Sequence, residues 1–122
     1  MKIIEGDNCY YYDCDDTLVM WDNIYKTEAN TVLFNCHGFK ENLVPHQEHI
    51  SHLKKAKTFD KATIIVWSAG GWEWAKEVVE KLGIEEYVDA VMTKPNFYID
   101  DLACKEFMGT RIYKPMPKPI NE

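Results

Sequence analysis

A continuous apolar run, ATIIVW at residues 62–67, is the feature that most limits the folds open to this chain. A strand with one apolar face alternates apolar and polar side chains, whereas an unbroken run indicates a strand buried on both faces, as in a parallel sheet. Ser68 and the glycines after it end the run, and residues 72–82, WEWAKEVVEKL, resume with apolar side chains at helical spacing. Gly83 is a natural end for that helix. The sequence therefore predicts a buried strand followed by a helix.

Segments on either side extend this strand–helix pattern. Residues 8–12, NCYYY, are rich in β-formers, and residues 87–92 and 97–100, YVDAVM and FYID, are two further short strand candidates. Pro45 stands at a predicted helix start, because HQEHISHLKKAK follows it with apolar residues at helical spacing. Strand, helix, strand, helix, strand is the order typical of an α/β fold with a parallel sheet.

The remaining segments are predicted to be smaller features of one domain, since 122 residues suffice for a single hydrophobic core. Residues 22–44 are polar around a β-branched and aromatic centre, which indicates a loop and a small hairpin in which 31–35 pair with 39–44. The tail at 114–122 holds three prolines and is expected to be irregular.

Composition narrows the functional class. The net charge of −6 disfavours a broad nucleic-acid surface, and no apolar run reaches the roughly 18 residues that a membrane span needs. The N-terminus lacks the basic-then-apolar layout of a secretion signal. Four cysteines without a C-x-x-C pair are typical of a reduced protein. We therefore expect a cytoplasmic protein without a membrane partner.

Carboxylates follow two of the predicted strands. Asp13 and Asp15 come directly after the first strand, Ser68 ends the second, and Asp100 and Asp101 end the last apolar run. If these strands are parallel, their carboxyl ends converge on one edge of the sheet. Carboxylates so close together repel one another unless a cation lies between them. Oxygen ligands without a matching set of histidines or cysteines favour Mg²⁺ as that cation.

Each of these features also has an ordinary explanation. An Asp-rich turn is usually only a turn, and a calcium loop can resemble it. The calcium pattern fails, because it needs an acid or amide at 17, Gly at 18 and Glu at 24, where this chain has Thr17, Leu18 and Ile24. A lone Ser after a strand is usually a helix cap, and a lone lysine such as Lys94 is usually a solvated surface residue.

Taken together, the segments YYYDCDDTL, TIIVWSAGG, TKP and FYIDD resemble the four motifs of the haloacid dehalogenase (HAD) superfamily. The arrangement is similar to that of small capless phosphatases, both phage-encoded and of the capsule-biosynthesis type. This resemblance implies a Rossmann-like, mostly parallel sheet flanked by helices, with residues 22–44 as a minimal cap or flap. It also implies a Mg²⁺-dependent phosphomonoester hydrolase that works through an aspartyl-phosphate intermediate.

The resemblance also implies a role for each motif residue. Asp13 is expected to be the nucleophile and Asp15 the general acid and base, while Asp16 is not a motif position. Thr17 is expected to hold the loop, and Ser68 and Lys94 to bind the phosphoryl oxygens.

The metal and the phosphate complete the implied site. The implied Mg²⁺ ligands are Asp13, Asp15 through its backbone carbonyl, and Asp100, with Asp101 orienting metal-bound water or Lys94. The backbone after Ser68, at Ala69, Gly70 and Gly71, is expected to approach the phosphate before the helix begins.

The spacing around Lys94 departs from a regular fold. Lys94 lies only six residues before Asp100, and TKPN is too short for the crossover that joins two parallel strands. Either the crossover helix is missing, or residues 87–92 or 97–100 do not form a regular strand.

Two alternatives to hydrolysis remain open: phosphoryl transfer to an acceptor other than water, and a catalytically silent binding or regulatory protein. The expected substrate is a small phosphorylated molecule, with nucleic-acid ends as a second class, and an open site is compatible with shielding by a second copy of the chain.

Three histidines lie in the predicted helix after Pro45, at an i, i+3, i+6 spacing: His46, His49 and His52. This spacing does not suit a zinc pair, so we expect these histidines to be solvated helix residues.

Overall fold

The computed structural model describes residues 1–119, which form an α/β fold. The strands are β1 (Cys9–Asp13), β2 (Val19–Met20), β3 (Val32–Cys36), β4 (Phe39–Pro45), β5 (Thr63–Ser68) and β6 (Ala90–Thr93). The α-helices are α1 (Gln47–Asp60), α2 (Trp72–Leu82) and α3 (Cys104–Phe107), and short 3₁₀ turns lie at Asn23–Tyr25 and Glu85–Tyr87. Among the described residues, no helix has the length and apolar character needed to cross a membrane.

The central sheet is parallel, which confirms the α/β prediction. Its strand order is β1-β5-β6, so the apolar run at 62–67 provides the middle strand. Ile64 and Val66 of this strand are fully buried. Both crossovers move in the same direction across the sheet, and right-handed connections then place α1 and α2 on the same face. In β1, Tyr12 is accordingly buried, whereas Tyr11, which points to the other face, is 44% exposed.

A second, antiparallel sheet has the order β2-β4-β3. Its β3–β4 hairpin confirms the predicted pairing, and His37 and Gly38 at its turn both have positive φ, as a tight two-residue hairpin requires. Phe34 and Leu43 of this hairpin are fully buried and belong to the same core as the parallel sheet. The hairpin is therefore packed into the body of the protein.

The predicted start of α1 differs from the structure, whereas the predicted end of α2 agrees with it. The start at Pro45 is wrong, because Pro45 is the last residue of β4, and α1 begins at Gln47 with His46 as its N-cap. The end of α2 is confirmed, because Gly83 adopts the left-handed conformation with φ 68° that closes the helix.

Residues 97–100 do not form the candidate strand, which is one of the possibilities that the short spacing after Lys94 leaves open. These residues are exposed and outside any strand, and we call residues 95–112, which leave β6 and contain α3, the arm. Only Lys94, Pro95 and Asn96 separate β6 from the run, so the chain has no crossover that could bring it back parallel to the sheet. The tail prediction is confirmed as far as Pro119, since 114–119 contain no helix or strand; residues 120–122 lie outside the described part.

Candidate active site

The carboxyl ends of the three parallel strands form one edge of the sheet, which we call the rim. Asp13 of β1 is in register with Trp67 of β5, and Ser68 of β5 is in register with Thr93 of β6. Lys94 follows directly, and its backbone N–H donates to the Ser68 carbonyl at 2.9 Å. Ligands of open α/β sheets bind at this edge. The rim is therefore the candidate active site.

Asp13 and Lys94 form an ion pair at the rim. Lys94 Nζ lies 3.4 Å from Asp13 Oδ1, and Thr17 Oγ1 donates to Asp13 Oδ2 at 3.3 Å. About a third of each side chain in the Asp13–Lys94 pair is exposed, so both groups can reach a ligand from solvent. The structure thus joins three of the residues that the motifs single out.

Two aromatic rings pack next to Lys94, with Trp67 under its ammonium group and Tyr11 against Trp67. Lys94 Nζ lies 5.8 Å from the centre of the Trp67 ring, within the range of a cation–π contact, and Tyr11 packs on Trp67 with ring centres 4.2 Å apart. The ammonium group is therefore held between Asp13 and Trp67. Trp67 matches none of the motif positions, and its place immediately before Ser68 is the only signal in the sequence that could have pointed to it.

The acidic loop, residues 13–17, is tightly wound after β1. The Cys14 carbonyl accepts hydrogen bonds from the N–H groups of Thr17, Leu18 and Val19, at 3.2, 2.9 and 3.1 Å. Asp16 occupies the left-handed region with φ 60°, a conformation that Asp and Asn tolerate better than most residues. Asp13 and Asp15 are partly buried in this loop, whereas Asp16 is exposed.

Two tryptophans orient Asp15. The indole Nε1 of Trp21 donates to Asp15 Oδ1 at 2.8 Å, and that of Trp74 donates to the same oxygen at 3.0 Å. Both bonds use one oxygen, so Oδ2 is the oxygen left to exchange a proton with a ligand. This pair of donors could not be predicted from the sequence, because Trp21 and Trp74 are 53 residues apart and only folding brings them together.

The buried thiol between the two acids is unreactive. Cys14 is fully buried, and burial, followed by the nearby charges of Asp15 and Asp13, strongly raises its pKa. A thiol becomes a nucleophile only as the thiolate, so Cys14 has a packing role. The carboxylates are thus the nucleophiles that the loop offers.

Ser68 is buried at the rim, and its hydroxyl accepts the N–H of Gly70 at 2.9 Å. A hydroxyl that accepts one bond still has its own proton to donate. The backbone N–H of Gly70, predicted to face a phosphate, is engaged with Ser68 instead. Ala69 is exposed beside it, and Gly71 begins α2 as its N-cap with φ 108°.

Asp100 and Asp101 are not brought to the rim. Both are exposed on the arm, and Asp100 Oδ1 accepts the N–H of Leu102 at 2.9 Å in a local turn. Within residues 1–119, no three acidic, histidine or cysteine side chains converge in a way that could hold a metal ion. Asp13 and Asp15 alone do not make up the predicted Mg²⁺ ligand set, so the residues gathered at the rim do not fit the ion in this arrangement.

A cavity of about 700 Å³ lies away from the rim. Residues 2–7 line it together with Lys57, Lys61 and Asp89. Asp89 directly precedes β6, so this cavity is at the amino ends of the strands. Lys57 and Asp89 neutralise one another there at 2.9 Å. The geometry of the rim, and not cavity size, therefore identifies the candidate site.

Comparison of the chain with protein-family models finds no match, and comparisons with curated proteins and with solved structures find none either. Its function is therefore argued from its own residues and from the motifs they form.

Proposed function

We propose that this protein is a phosphomonoester hydrolase of the HAD type, with a Rossmann-like parallel sheet and Asp13 as its nucleophile. The observation that carries this proposal is the contact of Asp13 with Lys94 and Thr17 at the carboxyl end of β1. A carboxylate beside a fixed ammonium group at this edge suits attack on an anionic phosphoryl group.

In the first half of the reaction, an oxygen of Asp13 attacks the phosphorus atom and the bond to the leaving oxygen breaks. The leaving oxygen takes a proton from Asp15, which ends this step as a carboxylate. The product alcohol departs, and the phosphoryl group is held as an acyl phosphate on Asp13.

In the second half, Asp15 accepts a proton from a water molecule, and the water oxygen attacks the same phosphorus atom. The bond between phosphorus and Asp13 breaks, inorganic phosphate leaves, and both carboxyl groups return to their starting states. The indole bonds of Trp21 and Trp74 keep Asp15 in one orientation through both proton transfers.

Lys94 supplies the positive charge that the reaction needs. A carboxylate and a phosphate repel each other, and an ammonium group placed against Asp13 offsets that repulsion. Ser68 is the further donor expected to contact a phosphoryl oxygen, because its hydroxyl proton remains available. The chemistry is thus assigned to Asp13, Asp15, Ser68, Thr17 and Lys94.

Mg²⁺ remains part of the proposal on the strength of the motifs alone. Its proposed ligands are Asp13, the backbone carbonyl of Asp15 and Asp100, with Asp101 orienting metal-bound water or Lys94. No step above depends on the ion, because Asp100 and Asp101 lie apart from the rim. The four free cysteines support a reducing compartment such as the cytoplasm. The partly exposed rim suits small phosphorylated substrates or the phosphorylated ends of nucleic acids.

The proposal is tested with a generic aryl phosphate, assayed with Mg²⁺ and with a chelator. We expect Mg²⁺-stimulated release of phosphate by the unmodified protein, and a loss of about 10²- to 10⁴-fold in Asp15→Asn, which cannot transfer the proton. Asp16→Asn is the matched control, because it makes the same chemical change in the same loop at an exposed position that tolerates Asn.

Three results would contradict the proposal. Absence of turnover across a panel of phosphoesters, with folded protein, would favour a silent binding protein. Equal activity of Asp15→Asn and Asp16→Asn would remove Asp15 from the mechanism. Phosphate that appears on an added alcohol more than in solution would identify a phosphotransferase.

The indole donors lead to a separate prediction. Trp74→Phe keeps a buried aromatic ring but removes one hydrogen bond to Asp15, so we expect kcat to fall about tenfold with little change in KM. Trp72→Phe is the matched control on the same helix, since Trp72 is exposed. Equal kcat in the two variants would show that the indole bond does not matter for proton transfer.

A further inference from the structure

His49 in the first turn of α1 and His46 at its N-cap are buried next to the acidic loop, contrary to the prediction that they are solvated. His46 is 1% exposed and His49 is 6% exposed. Their rings stack with centres 3.8 Å apart and planes 9° apart. Neighbouring imidazoles at this distance cannot both be charged without strong repulsion. Only a tertiary contact can explain why two titratable rings are removed from water together.

The contact is with the backbone of the tail. The Lys114 N–H donates to His49 Nε2 at 2.9 Å, and the Lys114 carbonyl lies 2.7 Å from His46 Nε2. A backbone N–H can only donate and a carbonyl can only accept. His49 therefore has an unprotonated Nε2, and His46 carries its proton on Nε2.

The other ring nitrogens complete the assignment. His49 Nδ1 lies 2.7 Å from the Thr17 carbonyl and must donate to it, whereas His46 Nδ1 accepts the backbone N–H of His49 at 3.3 Å. Each ring thus has one donor and one acceptor nitrogen, both engaged. The two histidines are neutral and have opposite tautomers.

The two histidines and Tyr113 also hold three consecutive carbonyls, which belong to the last two residues of the acidic loop and to Leu18. The Asp16 carbonyl accepts from Tyr113 Oη at 3.1 Å, the Thr17 carbonyl from His49, and the Leu18 carbonyl from the His46 N–H at 2.9 Å. The loop that carries Asp13 and Asp15 is therefore joined to a tail segment almost 100 residues away.

We propose that His46 and His49 are positioning residues that, as a neutral pair, fasten the Tyr113–Lys114 segment to the acidic loop, and that the segment is released when His49 is protonated. A proton on His49 Nε2 would face the Lys114 N–H, so the hydrogen bond would become a repulsive contact between two donors. Only the kinetic part of the proposal rests on the proposed function.

The surroundings favour the neutral state of His49. Burial lowers its pKa, the Thr17 carbonyl raises it, and a charge on His46 or His52 lowers it again. Glu48, which raises the pKa, is exposed on the same helix, and on the tail side the Tyr113 ring and Lys114 face the pair, with Arg111 lying over Tyr113.

The sign of the pH dependence follows from this lowered pKa. In the unfolded chain His49 takes up a proton near pH 6.5, and in the folded protein it does so at lower pH. The unfolded state therefore binds more protons below about pH 6.5, and stability falls as the pH decreases through this range. Above it the contribution is fully present.

The first test is NMR spectroscopy of the full chain. Long-range ¹H–¹⁵N spectra are expected to show Nδ1–H for His49 and Nε2–H for His46 at pH 7.5. Amide exchange of Lys114, corrected for the intrinsic rate, is expected to be slow at pH 7.5 and about tenfold less protected at pH 5.5, which corresponds to the loss of one hydrogen bond. Identical tautomers, or protection of Lys114 that does not change with pH, would overturn the proposal.

Substitutions separate titration from packing. His49→Gln keeps a donor and an acceptor but cannot titrate in this range, so Lys114 is expected to stay protected at both pH values. His49→Leu, which removes both groups, is expected to lose protection at both. His52→Gln is the matched control on α1, since His52 bonds Tyr12 Oη at 2.7 Å instead of the tail. If His49→Leu does not fold, the comparison of the unmodified protein with His49→Gln still tests the proposal. Protection of Lys114 that falls at low pH in His49→Gln would overturn it.

The kinetic readout is the pH profile of kcat for an aryl phosphate. The decrease of kcat on the acid side is expected to be shallower in His49→Gln than in the unmodified protein and in His52→Gln. Unchanged profiles with altered Lys114 protection would show that the tail contact forms but does not position the acidic loop. Absence of turnover in every form would contradict the proposed hydrolase activity, while the exchange data would still test the histidine pair.

Discussion

Asp13→Asn is expected to abolish phosphoester hydrolysis, with a loss on the order of 10⁴-fold or more in kcat. The amide cannot form the acyl phosphate, and the ion pair with Lys94 is lost with it. The change is isosteric, and the bond from Thr17 can be kept by the amide oxygen, so the fold is expected to persist.

The measurement has two parts. Phosphate release is compared among the unmodified protein, Asp13→Asn and the control Asp16→Asn, and acid-quenched samples are searched by mass spectrometry for a phosphoryl group on the peptide containing Asp13. We expect the adduct in the unmodified protein and in Asp16→Asn only. Turnover that survives in Asp13→Asn, or an adduct on another residue, would rule out Asp13 as the nucleophile.

Lys94→Met is expected to lower kcat about 10²- to 10³-fold, which is the usual cost of removing one group that stabilises developing negative charge. Methionine keeps much of the side-chain length and its packing against Trp67 but has no charge. The loss is expected mainly in kcat, because the charge on the phosphoryl group is redistributed most in the transition state.

Lys76→Met is the matched control for this prediction. Lys76 is an exposed residue of α2 whose ion pair with Glu80 lies on the helix surface, so its removal tests only the change in net charge. Equal effects of the two substitutions would mean that Lys94 acts through the overall field of the protein and does not contact the phosphoryl group.

The parallel sheet and the hairpin could be predicted because local patterns determine them. The unbroken run in β5 requires burial, and the turn at His37–Gly38 joins two β-rich segments over a short distance. The end of α2 could be predicted for the same reason, since Gly83 closes a helix without help from the rest of the fold.

The strand at 97–100 could not be judged from its own residues. FYID has strand propensity, but pairing requires a connection that returns to the sheet, and the three residues after β6 do not provide one. Connectivity therefore overrides propensity here. The same short connection places Lys94 at the rim, because the lysine directly follows the last residue of β6.

The prediction that His46 and His49 are solvated was wrong for a different reason. A spacing of i, i+3, i+6 moves around a helix, and the first two positions face the loop and the tail while the third faces Tyr12. Their burial depends on the backbone of Lys114, more than 60 residues away. No pattern within α1 carries that information.

What the sequence by itself determined is the order of the three parallel strands and the two long helices, and the position of Asp13, Ser68 and Lys94 relative to the strand ends. These follow from hydrophobic runs and breaks, which act over a few residues. Only the tertiary structure decided which side chains meet: the indoles of Trp21 and Trp74 on Asp15, the two histidines on the tail, and the separation of Asp100 from the rim. Such contacts join residues that are distant in sequence, so chain connectivity and packing determine them.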